Sequence, residues 1–477
     1  MSLFVGRKEE LALLRALFDK RTASMIVVYG RRRVGKSRLV EEFGKQHNMI
    51  SIAGLPPTSK TTRESQLNEF AQQLSSQLSK PKKKFTDWSE AFDLLAKHTK
   101  TGKVIIFLDE INWIGSCDPD FLGKLKNAWD KQFKKNDHLI LIMCGSVSLW
   151  INENILSNTG FFGRISLKIQ LSEMSLSDCN AFFNAQGIQL SDFDKLKILS
   201  VTGGIPKYLE EINLTFSAEE NIKQMCFLSS GLLFNDYDYI FSALLHRESE
   251  YYQKIVFLLR DQCLDQTAII ESIDIHSGSF ISNYLHELVI AGFVSRDYTW
   301  HLKDGAISLL SKYRLADNYL RFYLKYIYPN VAKIKNGQFK HHSLSALPAW
   351  ASIMGLQLEN IVINNRDVIK ESLGIYADEV IYDNPYFQRK TARQKGCQID
   401  YLIQTKFGNL FVCEVKFSRG PIDTSVIEAM QQKIKNMAIP KNFSVRPILI
   451  HASTVSDAVL DCNYFAKIIN LCDFFKQ

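Results

Sequence analysis

The stretch GRRRVGKS at residues 30–37 constrains this chain more than any other. It matches G-x-x-x-x-G-K-[ST], follows the apolar run MIVVY at 25–29 and opens an amphipathic segment at 37–46. A strand, a glycine-bounded loop and a helix start in that order bring backbone N–H groups and a helix N-terminus onto one point, an anion cradle. Because the backbone holds the phosphates, side chains at the variable positions are free to point away, and three consecutive arginines do not disqualify the loop. Gly30, Arg31, Arg32, Arg33, Val34, Gly35, Lys36, Ser37 and Arg38 are therefore the candidate ATP-binding segment. Lys36 suits the β- and γ-phosphates, and Ser37 suits the shell of a Mg2+ ion.

Residues 104–110, VIIFLDE, form a second apolar run that ends in two acids. Asp109 suits the magnesium shell and Glu110 the polarisation of an attacking water. Runs at 25–29, 104–108 and 139–144 have buried-strand length and alternate with helical stretches such as 37–46 and 121–133, the pattern of a parallel sheet covered on both faces. The lysine-rich turn at 80–85, KPKKKF, reads as a solvated loop or a nucleic-acid contact.

Bulk numbers bound the rest. With 477 residues the chain is long enough for about three domains. A net charge of +8 permits a polyanionic partner without demanding one. The nine cysteines are scattered singly with no C-x-x-C pair, which argues for free thiols, a reducing compartment and a cytoplasmic location. No apolar run is long enough to span a bilayer, so no membrane association is expected.

From 171 to 233 the pattern is helical, broken by TGGIP at 202–206. Helical segments at 251–261, 267–274 and 278–291 then precede strand-like residues at 292–296 and 298–302, the order of a winged helix. Its third helix, GSFISNYLHELVIA, has no lysine or arginine. Ser279, Ser282, Asn283 and His286 offer polar contacts, with Arg296 near the wing, so both a DNA reader and a spacer remain open. The aromatic segment 313–328 reads as a core helix, and 330–346, with Gly337, Lys340, His341 and His342, as a polar linker.

In the C-terminal third, residues 379–382, 399–404 and 410–416 read as strands, the last two flanking a TKFGN turn within QIDYLIQ and NLFVCEVKFS. Alternation puts Glu414 and Lys416 on one face, and the neighbouring strand brings Asp400 beside them. Two carboxylates bind magnesium, while a lysine offsets charge or activates water. Glu359, on the amphipathic helix 350–363, is placed to add a third carboxylate. A helix acid, then Asp, then Glu-x-Lys is the arrangement of the PD-(D/E)xK nuclease fold, though Asp400 follows isoleucine rather than proline. In the helix that follows, at 426–437, the resemblance implies an assisting role for Gln431, with Lys433 nearby.

Taken in order, FVGRKEE at 4–10, GRRRVGKSR, FLDEI, LILIMCGS, FFGRI at 161–165 and GGIPKYL at 203–209 resemble the archaeal-ATPase group of P-loop ATPases, related to AAA+ and STAND proteins. The resemblance implies that Val5, Gly6 and Arg7 border the adenine pocket and that Ser146 senses the γ-phosphate. It implies a lid-closing role for Pro206, and for Arg164 either an arginine finger or a structural ion pair. It also implies a winged helix and a terminal nuclease-like domain. The expected α/β architecture is a P-loop core over 1–170, a helical lid over 171–235, a winged helix over 236–330, a linker over 331–346 and a PD-(D/E)xK nuclease-like domain over 347–477. The expected function is an ATPase that regulates a Mg2+-dependent nuclease acting on nucleic acid, DNA above RNA, with homo-oligomerisation open. The alternative is a STAND-like ATP-driven switch in defence or toxin–antitoxin signalling, with a non-cleaving effector or DNA-binding module.

Overall fold

The computed structural model describes residues 4–146, 149–244, 249–273, 278–339, 343–392, 394–418 and 420–476. The chain divides into two units, Met1–Met174 and Ser175–Gln477.

In the first unit, β1 (Ser24–Gly30), β2 (Asn48–Ala53), β3 (Val104–Asp109), β4 (Leu139–Ser146) and β5 (Ile165–Leu171) form one parallel sheet in the order β2-β3-β4-β1-β5. The central strands β1, β3 and β4 are the three apolar runs of the sequence, buried on both faces. The edge strands are harder to read from sequence. NMISIA and ISLKIQL carry exposed polar residues because one side of an edge strand meets water.

Edge strand β2 is closed by glutamines of the helix Arg63–Leu78. Gln77 accepts from Ser51 N (2.8 Å) and Gln73 from Ala53 N (2.8 Å), and both side-chain amides donate back to the same residues' carbonyls. The pairs occupy backbone groups that would otherwise offer a template to another strand. Trp88, Phe92, Phe121 and Phe70 fill the core beside the sheet.

The second unit holds a five-stranded sheet in the order β12-β11-β10-β9-β8, from β8 (Val380–Gln388), β9 (Cys397–Thr405), β10 (Asn409–Lys416), β11 (Ser444–His451) and β12 (Lys467–Asn470). β8, β9 and β10 run antiparallel, whereas β10, β11 and β12 run parallel. Ahead of it come the helices Ser249–Leu258, Gln266–Ile273 and Gly278–Ile290 and an antiparallel ribbon of β6 (Val294–Trp300) and β7 (Ile307–Leu315).

The ribbon is built into the second sheet's core. Trp300 is buried and its Nε1 donates to Gln404 Oε1 (2.6 Å), while Gln404 Nε2 donates to Leu302 O (2.9 Å) and Thr299 Oγ1 to Phe387 O (2.8 Å). The helices expected to form a lid also lie in this unit. Asn365 Oδ1 accepts from Leu176 N (2.8 Å) and Asn180 Nδ2 donates to Phe475 O (2.8 Å). Helix Asp192–Thr202 packs against helices Asn318–Phe322 and Trp350–Asn364 and against the last turn, Leu471–Phe475.

Two readings of the middle segment change. Residues 313–315 end β7, and the helix starts at Asn318, because Asp317 caps it by accepting from Leu320 N (2.6 Å). The stretch read as a linker contains the helix Val331–Lys335 and the 3-10 turn Leu344–Ala346, and Ile334, Phe339 and Leu344 are buried. Its Lys340, His341 and His342 lie outside the described residues, as does the Ser279 side chain.

Because Trp300 joins the ribbon to the second sheet, Trp300→Ala is expected to remove about 3–5 kcal/mol from that unit. The check is urea unfolding followed by a probe in the second unit; an unchanged midpoint would show that the ribbon is not part of its core.

Candidate functional site

The phosphate loop begins where β1 runs out of room. A Cβ on Gly30 would stand 2.3 Å from Leu171 O, so only glycine lets β1 and β5 close there. Arg33 (φ 69°) and Gly35 (φ 92°) then take left-handed backbone, curling the loop into the helix Lys36–Gly44. Lys36 is buried and its Nζ donates to Arg31 O (2.8 Å), which holds the ammonium across the mouth of the loop. Burial pulls its pKa down, against the opposing charges of Glu110 and Asp109 nearby.

Parallel pairing sets the other groups around that lysine. Register pairs Gly30 with Ser146, so the end of β4 stands beside the loop. Asp109 ends β3 and its Oδ1 accepts from Glu110 N (2.9 Å). Glu110 is left-handed at φ 47°, and the Ser146 backbone N–H bonds its carboxylate. Glu110 Oε2 is buried with no hydrogen-bond partner among the described residues, and burial raises the pKa of this acid. A strained, desolvated carboxylate facing a lysine is suited to accept a proton from water.

Arg7, after Gly6 (φ 76°) and half-buried Val5, fastens the edge of the loop. Its Nη2 donates to Val34 O (3.3 Å) and Ser172 O (2.5 Å). Arg31 pairs with Glu173 (3.3 Å), Arg38 lies near Glu41 and Glu42 (3.8 and 3.7 Å), and Arg32 is exposed. Arg164 forms a two-pronged pair with Asp130 (Nε–Oδ1 3.0 Å, Nη2–Oδ2 2.9 Å) and donates to Gly160 O (2.9 Å). The hydrogen bond from Arg164 holds the Asp130 carboxyl below its usual range. That is the ion-pair alternative for Arg164. Pro206, in the second unit, is the first residue of the helix Pro206–Leu209.

The second unit gathers the other candidates. Register between β9 and β10 runs to the pair Tyr401 and Cys413, and just beyond it Asp400 Oδ2 accepts from Val415 N (2.9 Å). Glu414 is 1% exposed, and its Oε1 pairs with Lys416 (2.7 Å). Lys433, on the helix Ser425–Asn436, reaches both acids: it is 3.5 Å from Asp400 Oδ1 and bonds Glu414 Oε2. Glu359 lies on the helix Trp350–Asn364, which packs on β9 and β10. Burial, then the charge of Asp400, pushes its carboxyl up to about 8. Burial, then Glu414, raises Asp400 as well. Burial works against the charge on Lys433, yet Asp400 and Glu414 outweigh it and raise its pKa.

Among the described residues, no group of three or more His, Cys, Asp or Glu is arranged to hold a metal ion. Of the three expected acids, Asp400 and Glu414 are bridged by the Lys433 ammonium, and Glu359 lies close enough for the Asp400 charge to help raise its carboxyl. The pair still fits a cation, since two buried carboxylates side by side need positive charge between them. Gln431 is exposed, and Lys433 is the residue of that helix which meets the acids. Its signal in the sequence was one of phase: it lies one turn beyond buried Met430 and two beyond buried Val426.

Residues 4–212 match the family model of an ATPase domain predominantly from Archaea. With the loop geometry, that match supports ATP binding and hydrolysis by this region. The chain is 24% identical over 365 residues to an uncharacterized protein of Methanocaldococcus jannaschii, covering 72% of this chain and 73% of that one. An uncharacterized ATP-binding protein of the same organism is 49% identical over 41 residues, 9% of this chain and 70% of that one. Among solved structures, a Walker-type ATPase of Pyrococcus abyssi is similar at TM-score 0.49 and 15% identity, covering 67% of this chain and 96% of that one. The ORC2 protein of Aeropyrum pernix is similar at TM-score 0.44 and 12% identity, covering 70% and 94%. No helix among the described residues is long and apolar enough to cross a membrane.

The raised Glu359 carboxyl has a consequence for stability. The folded protein holds that proton more tightly than the unfolded chain, so this contribution is fully present at low pH and fades as pH rises from about 4.5 through about 8. In chelator, Glu359→Gln is expected to match wild type in stability near pH ~5 and to exceed it near pH ~9. Thermal melts at the two pH values check this; a constant difference between the proteins would contradict it.

Proposed function

We propose that the chain is a nuclease governed by nucleotide, in which the P-loop ATPase domain controls a metal-dependent phosphodiester hydrolase of PD-(D/E)xK type in the second unit, acting on DNA. The observation that carries the reading is the meeting of Asp400, Glu414, Lys416 and Lys433 at the ends of two antiparallel strands, two buried acids flanked by two lysines. An isolated acid cluster would be a costly way to stabilise a core, since replacing such groups with apolar ones is often neutral or stabilising.

In this reading Asp400 and Glu414 are the residues that would hold a divalent ion, whose chemistry when bound would be to activate water and offset phosphate charge. Lys416 is 40% exposed and can turn outward to a phosphate oxygen or orient the attacking water. Val415 N–H fixes the Asp400 carboxylate, so that acid is aimed before substrate arrives. At the P-loop, Lys36 leaves Arg31 O for the phosphates, Glu110 takes a proton from water, and Ser37 and Asp109 are the residues that would hold magnesium. Val5, Gly6 and Arg7 border the base, Ser146 reports the γ-phosphate to Glu110, and Pro206 starts a helix that responds.

The middle segment has winged-helix order but reads best as a spacer. Ser282 on its third helix accepts from Gln266 (2.6 Å) and Glu287 from Tyr252 OH, so two of its polar groups serve internal packing. Helix Leu176–Gln186 is hydrogen-bonded to Asn365 and Phe475 within the second unit, and in this reading its movement carries nucleotide state to the nuclease site. A second reading, the ATP-driven switch with a non-cleaving effector, draws support from the same ion pairs, because Lys433 closes the acids as a purely structural network also would.

Cleavage of labelled duplex DNA, single-stranded DNA and RNA with Mg2+ or Mn2+ tests the choice. Wild type is expected to cut DNA, and Lys416→Ala to lose about 100-fold or more of the rate. Absence of cleavage by wild type under every condition, with ATP hydrolysis intact, would favour the switch.

A further inference from the structure

The two lysines at the acid pair are not equivalent. Lys416 meets Glu414 alone, and its side chain is 40% exposed. Lys433 meets Glu414 and Asp400 together and is more enclosed, at 28%. Its helix is fixed by the buried apolar side chains of Val426, Ile427 and Met430, so the ammonium reaches the acids from a rigid base along a flexible four-carbon stem. A point charge between two carboxylates occupies the position that a small divalent cation takes in such a site.

We propose that Lys433 is a cation built into the acid pair, holding the place between Asp400 and Glu414 until a phosphodiester draws it away and a divalent ion takes over. This inference rests on the nuclease reading. Physically it is a competition. Without Lys433, a site left with Lys416 as its sole ammonium is more negative by one charge and attracts a divalent ion more strongly. With a phosphodiester bound, the anion offers Lys433 another partner, and the same ammonium neutralises the strand it has admitted. The free protein then has low affinity for the ion, and the ion enters together with substrate, which keeps an unoccupied site from being armed.

The test is Mn2+ binding, read by electron paramagnetic resonance, to the full chain without nucleotide. The proteins are wild type, Lys433→Met, Lys433→Gln and Lys433→Met combined with Asp400→Asn, each checked for native near-ultraviolet circular dichroism. Both single variants are expected to bind one Mn2+ about tenfold or more tightly than wild type, and the added Asp400→Asn to abolish that binding. Addition of a phosphorothioate-protected DNA duplex is expected to tighten Mn2+ binding by wild type far more than by Lys433→Met. Equal affinity in wild type and both single variants, still dependent on Asp400, would overturn the inference and leave the nuclease reading standing. Absence of Asp400-dependent Mn2+ binding in every protein, with or without DNA, would overturn both.

Discussion

A buried seam of charge and amide groups holds the second unit to one arrangement. Arg314 on β7 pairs with Asp297 on β6 (2.8 Å) and bonds Asn360 Oδ1, while Asn360 Nδ2 donates to Leu315 O (3.1 Å) and Asn318 Oδ1 (2.9 Å). Arg321 donates to Leu315 O (2.6 Å), Leu356 O (2.9 Å) and Gln357 Oε1 (3.1 Å). All of these side chains are buried, so removing one partner strands another, a penalty of about 1–3 kcal/mol for a neutral group and more for a charge. The seam therefore tolerates one register. It clamps the helix Trp350–Asn364 against the ribbon, and Glu359 on that helix feels the charges of Asp400 and of the seam's Arg321 and Arg314. The position of Glu359 beside the candidate site follows from this network.

Much of the first unit was legible because its signals are local. A P-loop is a contiguous string in a fixed strand–loop–helix context, and the buried strands β1, β3 and β4 are uninterrupted apolar runs. β2 and β5 escaped notice because edge strands keep polar faces, and in β2 glutamines from another helix finish the hydrogen bonding. In the second unit, Glu414 and Lys416 could be placed on one face by alternation, but β11 and β12 depend on pairing that no single segment announces. Polarity misled at 331–346, where a few buried apolar side chains outweigh the surrounding lysines and glycine. Lys433 was visible only as a residue on a helix; its role needs the contact between that helix and two strands.

The two candidate sites share a physical theme. Each holds a lysine against buried or half-buried acids: Lys36 near Glu110 and Asp109, Lys433 between Asp400 and Glu414. Arg164 in the first unit is paired with Asp130. The helices at 176–226 carry Pro206 and are hydrogen-bonded to Asn365 and Phe475 within the second unit.

The central claim is that nucleotide state sets nuclease rate. Its most direct measurement is the DNA cleavage rate at fixed Mg2+ with ATP, with ADP and with no nucleotide, for wild type and Lys36→Ala. The account predicts that wild type responds to ATP by at least about tenfold, the scale of a coupling free energy near 1.4 kcal/mol, and that Lys36→Ala gives one rate under all three conditions. Equal rates for wild type with and without ATP would contradict it and leave two independent enzymes on one chain.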